Sequence, residues 1–207
     1  MWRARADHGG HRRGRAVNFP PPIKTFPLIS QWLSFAPDGA VNVFSERVEL
    51  GQQISIVLTQ IAADELDVTV DAIRLTPGHT DLCPAEGPTV GSLSVTFGGQ
   101  SIRLVASAAC ALMLNHAAEL LQTTVEGFSV HEGEIVKDGL ETRLSYANLC
   151  KDVNLDVPAI EYAAPKAASE RILIGSFVPR VDLAARLTDG LWLHDMTLDG
   201  MWHGRVI

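Results

Sequence analysis

The sequence predicts an α+β fold in which β-α-β units place helices against a mixed sheet. Three observations support this prediction: a strand–helix–strand order over residues 32–78, an apolar helical stripe over residues 101–122, and a β-hairpin over residues 127–139. Hydrophobic residues make up 46% and charged residues 20% of the 207 residues, which is typical of a soluble globular protein. The chain is therefore long and apolar enough to bury a core.

The β-α-β unit begins with a hairpin in residues 32–50, "WLSFAPDGAVNVFSERVEL". Turn-forming residues at 37–39 separate two runs of strand-forming side chains. A helix is predicted over residues 53–67 because apolar side chains recur there at helical spacing, namely Ile54, Val57, Leu58, Ile61 and Leu66. Residues 72–78, "AIRLTPG", return as a short strand.

The second half of the lobe is predicted to begin with a loop and a long helix. Residues 79–91 lack periodicity and contain two prolines and two glycines, which indicates a loop. A helix is predicted over residues 101–122, where the apolar stripe consists of Ile102, Val105, Ala109, Leu112, Met113, Leu120 and Leu121. A hairpin with its turn at residues 132–133 follows, and Ser145 is expected to cap a short helix that ends near Cys150.

Residues 1–27 are predicted to be a basic, proline-rich disordered tail. Six basic residues precede position 25 against the single acid Asp7, and no apolar periodicity is present. The four prolines of residues 19–30, "FPPPIKTFPLIS", predict an extended lead-in rather than a packed element. No apolar stretch of signal-peptide length follows the arginine pair at residues 12–13, so a twin-arginine export signal is not expected.

Composition divides the remaining chain into three parts. Residues 28–157 are predicted to form the folded lobe, and the alanines and prolines of residues 158–171 indicate a linker. Residues 172–207 are predicted to begin a further domain that is incomplete within this sequence. The final residues 200–207, "GMWHGRVI", are typical of a strand that needs a partner, which suggests completion by further polypeptide.

Charge and cysteine content bear on several classes of function. The net charge of −7 and the pI near 5.4 give no support to nucleic-acid binding. No run of roughly 20 apolar residues is present, so no transmembrane segment is expected. Cys83, Cys110 and Cys150 are far apart, which favours reduced thiols in a cytoplasmic protein and argues against an intrinsic iron–sulfur or zinc site.

A candidate anion site lies at Gly51 and Gln52, where the first predicted helix begins. The first turn of a helix exposes unpaired N–H groups and a partial positive charge, which attract phosphate. Gly51 permits a close backbone approach, and the Gln52 amide can both donate and accept a hydrogen bond. This combination suits a ligand with a pyrophosphate and a heterocycle. The alternative is a polar helix start that binds nothing.

A second candidate site is "PTVGSLS", residues 88–94. Its hydroxyl side chains stand beside a glycine just before a helical region, which is the chemistry of an anion cradle, although such clusters also mark ordinary loops and caps. Phosphate-loop, nucleophile-elbow and metal-binding histidine motifs are absent from the sequence, so an ordinary nucleotide enzyme or hydrolase is not predicted. We interpret His194 and Asp195, with His203 nearby, as turn and strand residues rather than as an acid–base pair.

Three segments taken in order resemble a known enzyme family. They are "VELGQ" at residues 48–52, "TQIAADELDV" at residues 59–68 and "PAEGPTVGSLSVTFGGQSIRLVASAACALML" at residues 84–114. They are similar to the molybdopterin-binding large subunit of the xanthine dehydrogenase and aldehyde oxidase family, in particular to its isoquinoline 1-oxidoreductase β-subunit type. Residues 179–207 resemble the junction into that family's α/β hammerhead domain, so the resemblance extends over residues 28–207.

The resemblance implies a role for both candidate sites. In that family the large subunit holds molybdenum–molybdopterin, in bacteria usually as the cytosine dinucleotide. It hydroxylates an aldehyde or N-heterocycle, and electrons leave through a small [2Fe–2S] subunit. Gln52 would contact the pterin dithiolene side, Gly51 would permit the approach, and the second segment would hold the pterin or its phosphate through Thr89, Gly91, Ser92 and Ser94. The family's catalytic glutamate lies downstream of this segment, so no catalytic or metal-ligating residue is assigned.

Two substitutions leave an alternative open. Glu46 and Gln53 stand where the family has glycines; a carboxylate at position 46 would repel a phosphate if it pointed inward, and Gln53 must adopt backbone angles that glycine tolerates better. The preferred interpretation is the N-terminal portion of a molybdenum hydroxylase large subunit, active only with the rest of that subunit and the small subunit. The alternative is a truncated, non-catalytic α/β module that serves assembly or interaction.

Overall fold

The computed structural model describes residues 19–180, 183–188 and 196–207. The chain divides into two compact units, one ending at Ser176 and one beginning at Phe177. The helices of the first unit are α1 (Pro21–Thr25), α2 (Ile54–Leu66), α3 (Gln100–Leu120), α4 (Tyr146–Leu149) and α5 (Ala159–Tyr162). Its strands are β1 (Leu33–Phe35), β2 (Val41–Ser45), β3 (Ile73–Pro77), β4 (Phe128–His131), β5 (Glu134–Lys137) and β6 (Leu140–Ser145). The second unit contains α6 (Leu183–Thr188).

The first sheet is mixed, with the strand order β1-β2-β3. Strands β1 and β2 are antiparallel, whereas β2 and β3 are parallel and are joined through α2. A parallel pair needs a crossover of this kind, because a short turn cannot return the chain to the same end of the sheet. The predicted β-α-β unit, with its helix packed on a mixed sheet, is confirmed.

The second sheet is antiparallel, with the order β4-β5-β6. The turn at residues 132–133 confirms the predicted hairpin. Ser145 caps α4 as expected, since its hydroxyl accepts a hydrogen bond from the backbone N–H of Asn148 at 3.4 Å. Strand β6 was not predicted, because its sequence "LETRLS" is polar and largely exposed.

Helix α3 lies at the centre of the first unit, against α2 and α5. It follows a π-helical turn at Ser94–Gly99 and confirms the helix predicted over residues 101–122 within two residues at each end. The thiol of Cys110 in its middle is fully buried, and this burial raises the pKa of Cys110 to about 12. By length and composition the segment Ser94–Leu120 could cross a membrane, but 78% of its most apolar stretch is buried inside the protein, as in a core helix.

The extended lead-in predicted for residues 19–30 is wrong at α1. The prolines at its start need no hydrogen-bond partner for their nitrogen, so they fit the first turn of a helix. The side chain of Ile23 is 1% exposed and belongs to the core. The indole Nε1 of Trp32 donates to the carbonyl oxygen of Phe26 at 2.9 Å and fixes the end of this segment. Residues 1–18 of the predicted tail lie outside the described residues.

Residues 158–171, interpreted from composition as a linker, contain α5 and a buried lysine. The backbone N–H of Lys166 donates to Oε2 of Glu65 at 3.0 Å, and its ammonium group donates to Oδ1 of Asp67 at 2.6 Å. Residues 201–207 form no helix and pair with no strand of the described chain, so the strand expected at residues 200–207 on pairing with further polypeptide stays a prediction. The domain boundaries, including a hammerhead start at residue 172, stay predictions.

Candidate functional site

The first candidate site, Gly51 and Gln52, lies in residues 48–53, which are called loop A and form most of the connection from β2 to α2. The side-chain amide of Gln52 folds back onto this loop: its Oε1 accepts from the N–H of Leu50 at 2.6 Å, and its Nε2 donates to the carbonyl of Val48 at 2.9 Å. Gly51 has a φ of +97°, and no atom lies within 4 Å of the position of a Cβ. Loop A is therefore an open, exposed turn whose glutamine amide is already hydrogen-bonded.

The N-terminal end of α2 is occupied by a carboxylate of the chain itself. Glu49 accepts hydrogen bonds from the backbone N–H groups of Gly51 at 2.8 Å, Gln53 at 3.0 Å and Ser55 at 3.1 Å. Burial alone would raise the pKa of Glu49, but these bonds outweigh it and hold the pKa below its usual value. Sequence reasoning missed Glu49, although a carboxylate just before a helix is a recognised capping signal.

The second candidate segment, residues 88–94, is called loop B and leads into the π-helical turn before α3. Within the described part of the chain, neither the Ser92 nor the Ser94 hydroxyl makes a hydrogen bond. Both Gly91 and Ser92 have left-handed backbone angles, with φ of +61° and +58°. Loop B therefore keeps donors that a ligand can use.

A single hydrogen bond joins the two loops. The backbone N–H of Val48 in loop A donates to the hydroxyl oxygen of Thr89 in loop B at 3.0 Å. This bond brings the two loops into contact at Val48 and Thr89, although 41 positions separate the two residues.

The two substituted positions behave differently. Oε2 of Glu46 accepts from the backbone N–H of Gly87 at 2.7 Å, so this carboxylate is held by the segment that leads into loop B. Gln53 has φ 62° and ψ 27°, which confirms that this position demands the left-handed angles that glycine tolerates best. Gln53 thus carries backbone strain that a glycine would not.

A buried ion pair behind loop B was not predicted. Nε of Arg47 lies 3.2 Å from Oε2 of Glu86, and both side chains are 0% exposed. Burial raises the pKa of Glu86, opposed by the hydrogen bond from Ser45 and by the charge of Arg47. The alternation of inward and outward side chains along β2 and just after it could have predicted this buried arginine, because positions 41, 43, 45 and 47 all point inward. Charged residues are rarely buried unless paired, so an inward arginine implies a distant acid.

A cavity of about 310 Å³ lies elsewhere, at the C-terminal end of α2. It is lined by Ala63, Asp64, Asp67, Val68, Thr69, Val130, His131, Glu132, Ile172 and Leu173. None of the predicted site residues is among them. Within the described residues, no three histidine, cysteine or acidic side chains cluster closely enough to hold a metal ion. His194 and Asp195 lie outside the described residues.

A family model described as "Molybdopterin cofactor-binding domain" matches residues 13–171, which include both loops. The chain belongs to this family. Its relatives include one subunit of the nicotinate dehydrogenase of Pseudomonas putida, 32% identical over 193 residues, which are 93% of this chain and 16% of the relative. Another is the membrane-bound aldehyde dehydrogenase [pyrroloquinoline-quinone] of Gluconacetobacter polyoxogenes, 31% identical over 183 residues, which are 84% of this chain and 23% of the relative.

Two solved structures are similar over part of the chain. CO dehydrogenase of Oligotropha carboxidovorans is 24% identical with a TM-score of 0.45, over 56% of this chain and 15% of that one. Quinoline 2-oxidoreductase of Pseudomonas putida 86 is 24% identical with a TM-score of 0.45, over 57% of this chain and 15% of that one. The chain thus spans less than a quarter of the length of each curated relative named above.

The donors of loop B fit an anionic molybdopterin cofactor. The Ser92 and Ser94 hydroxyls are available, and the left-handed angles at residues 91–92 turn the backbone sharply at the loop surface. Loop A offers less, because Glu49 and Gln52 already engage its polar groups. The space beside Gly51 remains open to close approach of a ligand.

Proposed function

We propose that this chain is the cofactor-binding portion of a molybdenum hydroxylase large subunit, acting on an aldehyde or an N-heterocycle. The hydrogen bond from Val48 to Thr89 carries the proposal, because it joins two candidate loops inside the matched family region. Loop B holds the pterin or its phosphate through Thr89, Gly91, Ser92 and Ser94. In loop A, Gly51 permits the approach of the cofactor and Gln52 contacts its dithiolene side.

The cofactor proposed is the molybdopterin cytosine dinucleotide. When bound, its molybdenum supplies the two-electron redox chemistry of the hydroxylation. The residues of this chain would bind and orient it: loop hydroxyls would donate to its phosphate oxygens beside the turn at residues 91–92. No group on this chain is proposed to move a proton in the reaction.

Further polypeptide is required for activity under this proposal. The chain spans 16% of its nicotinate dehydrogenase relative, so the remainder of a large subunit is proposed to supply the substrate pocket and the catalytic base. A small [2Fe–2S] subunit is proposed to accept the electrons, and the assembly is proposed to be cytoplasmic. Residues 28–157 would form the cofactor lobe, with a hammerhead domain beginning at residue 172.

A second candidate function is a non-catalytic assembly or interaction module. It is supported by Glu49, which fills the N-terminal end of α2 that an anion would otherwise occupy. It is also supported by exposed apolar side chains around the two loops, which favour contact with another protein surface: Val48, Leu50, Val90 and Val95. Under this candidate the loops contact polypeptide and hold no cofactor.

The test measures molybdenum and released cytidine monophosphate per chain. The 207-residue protein is purified alone and after coexpression with downstream coding sequence and a small iron–sulfur subunit. We expect both analytes in the assembled sample. The double variant Ser92→Gly/Ser94→Ala should hold the cofactor about 30-fold more weakly, since it lacks two hydroxyl hydrogen bonds of ~1 kcal/mol each. Glycine at position 92 preserves the left-handed backbone.

The matched control is Thr124→Ala. Thr124 is an exposed hydroxyl residue beyond the far end of α3, so its loss should leave both analytes unchanged. A folded chain without molybdenum or cytidine nucleotide in either sample would contradict the proposal and favour the non-catalytic module. Pyrroloquinoline quinone in place of molybdenum would also contradict it, because the loops would then serve a different cofactor.

A further inference from the structure

The ion pair between Arg47 and Glu86 lies directly behind loop B. Arg47 follows the end of β2, and Glu86 lies two residues before the start of loop B. Both side chains are 0% exposed, so the pair is sealed from water. It connects the residues just after a regular strand to residues 78–92, which form neither helix nor strand.

The guanidinium group of Arg47 binds the backbone that enters loop B as well as the carboxylate. Its Nη1 donates to the carbonyl oxygens of Gly87 at 3.1 Å and Pro88 at 2.8 Å, and its Nη2 donates to the carbonyl oxygen of Glu86 at 2.9 Å. Three consecutive carbonyl groups are therefore fixed by one side chain. The planar donor fork of arginine makes this possible, whereas lysine has a single ammonium nitrogen.

The carboxylate of Glu86 ties the same segment back to the strand end. Its Oε1 accepts from the hydroxyl of Ser45 at 2.6 Å and from the backbone N–H of Glu46 at 3.0 Å. The carboxylate of Glu46 in turn accepts a hydrogen bond from the backbone N–H of Gly87 at 2.7 Å. Residues 45–47 and 86–88 are thus connected by hydrogen bonds in both directions.

The π-helical turn before α3 closes this cluster from the other side. A Cβ at Gly98 would lie 2.5 Å from Oε2 of Glu86 and 3.1 Å from Nε of Arg47. Only a residue without a side chain fits there. The pair is thus sealed from water and held against the backbone of residues 86–88, which leads into loop B.

Stability alone does not account for a pair of this kind. Removing two charges from water is costly, and apolar side chains of similar volume often replace a buried ion pair without loss of stability. Apolar side chains cannot, however, bind three carbonyl groups. The contribution specific to this pair is the placement of residues 86–88.

We propose that Arg47 and Glu86 are positioning residues that hold loop B in the geometry needed to bind the cofactor. The proposal rests on the proposed function, because it assigns cofactor contact to loop B. The pair touches no ligand itself. It fixes the backbone next to Thr89, and Thr89 in turn joins loop B to loop A.

The test compares backbone amide exchange with cofactor content in the double variant Arg47→Met/Glu86→Met. Apolar replacement is expected to keep the fold while releasing the three carbonyls. The amides of Val48 and Val90 report on loop geometry, because they donate to Thr89 and to Pro88. Their exchange in the chain alone should accelerate about tenfold, the size expected when hydrogen bonds to charged groups are removed. Molybdenum per assembled complex should fall by a similar factor.

The matched control is Arg103→Met/Glu65→Met. This pair is also buried, with side chains 11% and 0% exposed and 2.8 Å between Nε and Oε1, but it is anchored to α3 and α2 instead of loop B. It should leave the exchange of Val48 and Val90 unchanged. If the first double variant does not fold, Arg47→Lys carries the test, since it keeps the charge but cannot bind all three carbonyls.

The outcomes separate the two proposals. Unchanged exchange of Val48 and Val90 in a folded Arg47 variant would overturn the positioning role, whatever the cofactor content. Equal acceleration in the control pair would overturn it as well, because the effect would then be general loosening. Faster exchange confined to the Arg47 variants, with no cofactor in the wild-type assembly, would support the positioning role and overturn the proposed function.

Discussion

Loop A and loop B lie side by side but satisfy their polar groups in opposite ways. In loop A the chain binds itself: Glu49 accepts three backbone N–H groups, and the Gln52 amide bridges two more backbone groups. In loop B the Ser92 and Ser94 hydroxyls have no partner within the described part of the chain. The two loops also differ in their contacts with the interior. The buried pair of Arg47 and Glu86 packs beneath loop B, whereas loop A is largely exposed.

The difference teaches that a glycine–glutamine pair at a helix start is a weak indicator of an anion site. The helix dipole and the free N–H groups attract any negative group, including a carboxylate of the same chain. Glu49 belongs to the same chain and loses no translational entropy on binding there, so it competes favourably with a separate anion for the N-terminal end of α2. The hydroxyl-rich loop B keeps its donors free for a ligand, because the neighbouring carboxylates of Glu46 and Glu86 are bonded to other groups.

The largest effect is expected from adding one methyl group behind loop B. Gly98→Ala places a Cβ 2.5 Å from Oε2 of Glu86, and we expect a loss of about 3 kcal/mol in the free energy of unfolding. Gly51→Ala in loop A meets no atom within 4 Å and should cost only about 1 kcal/mol, from its positive φ. Urea denaturation of both variants measures the difference. Equal losses would show that loop B is not packed more tightly than loop A.

The next effect concerns cofactor retention by the two loops. Ser92→Gly/Ser94→Ala should weaken retention by about 2 kcal/mol, or roughly 30-fold. Gln52→Ala should weaken it only about threefold without unfolding the protein, because the amide is already hydrogen-bonded inside loop A. The measurement is the rate of molybdenum loss from assembled complexes during dialysis. A larger effect from Gln52→Ala would show that loop A contributes more to cofactor retention than loop B.

A smaller effect is expected from Glu49→Gln, and it depends on pH. The pKa of Glu49 is lowered in the folded state, so its stabilisation is present at neutral pH and is lost as pH falls through the folded-state pKa. The variant should be less stable than wild type by about 1 kcal/mol at pH 7, the usual size of a helix cap. The two proteins should converge as the pH falls through the folded-state pKa of Glu49, which lies below the ordinary value for a glutamate. Melting temperatures across this range provide the check, and a constant difference would contradict the carboxylate cap.

The smallest effect is expected from relieving strain at the start of α2. Gln53→Gly should stabilise the protein by about 0.5 kcal/mol, because glycine adopts a φ of 62° without a steric penalty. Gln122→Gly is the matched control, since Gln122 also has a positive φ, of 53°, but lies after α3. Chemical denaturation should show similar small gains. A loss of stability at position 53 would indicate that its side chain holds loop A in place.

Local patterns in the sequence predicted most of the fold. The spacing of apolar residues along α2 and α3 locates both helices, the turn residues at 37–39 locate the first hairpin, and Ser145 marks the start of α4. Each of these signals is contained within one element or at its end. Strand β6 and helix α1 escaped prediction because tertiary contacts override their weak local preferences.

The candidate site could be predicted only in part, because its organisation is long-range. The sequence locates loop A and loop B, but not the bond from Val48 to Thr89 across 41 positions. The pair of Arg47 and Glu86 is separated by 39 positions, and single charged residues are normally expected in solvent. Only the inward alternation along β2 distinguishes Arg47 from an exposed arginine.

The burial of Cys110 gives the protein an internal reporter of its own opening. Alkylating reagents react with thiolates. The Cys110 thiol on α3 is buried in the core and has a pKa of about 12, so almost no thiolate forms there. Cys83 and Cys150 are only half-buried and should be modified in the native protein. Modification of the third thiol then requires α3 to separate from its neighbours. Mass spectrometry of time-quenched labelling would therefore follow the exposure of the core without any introduced probe.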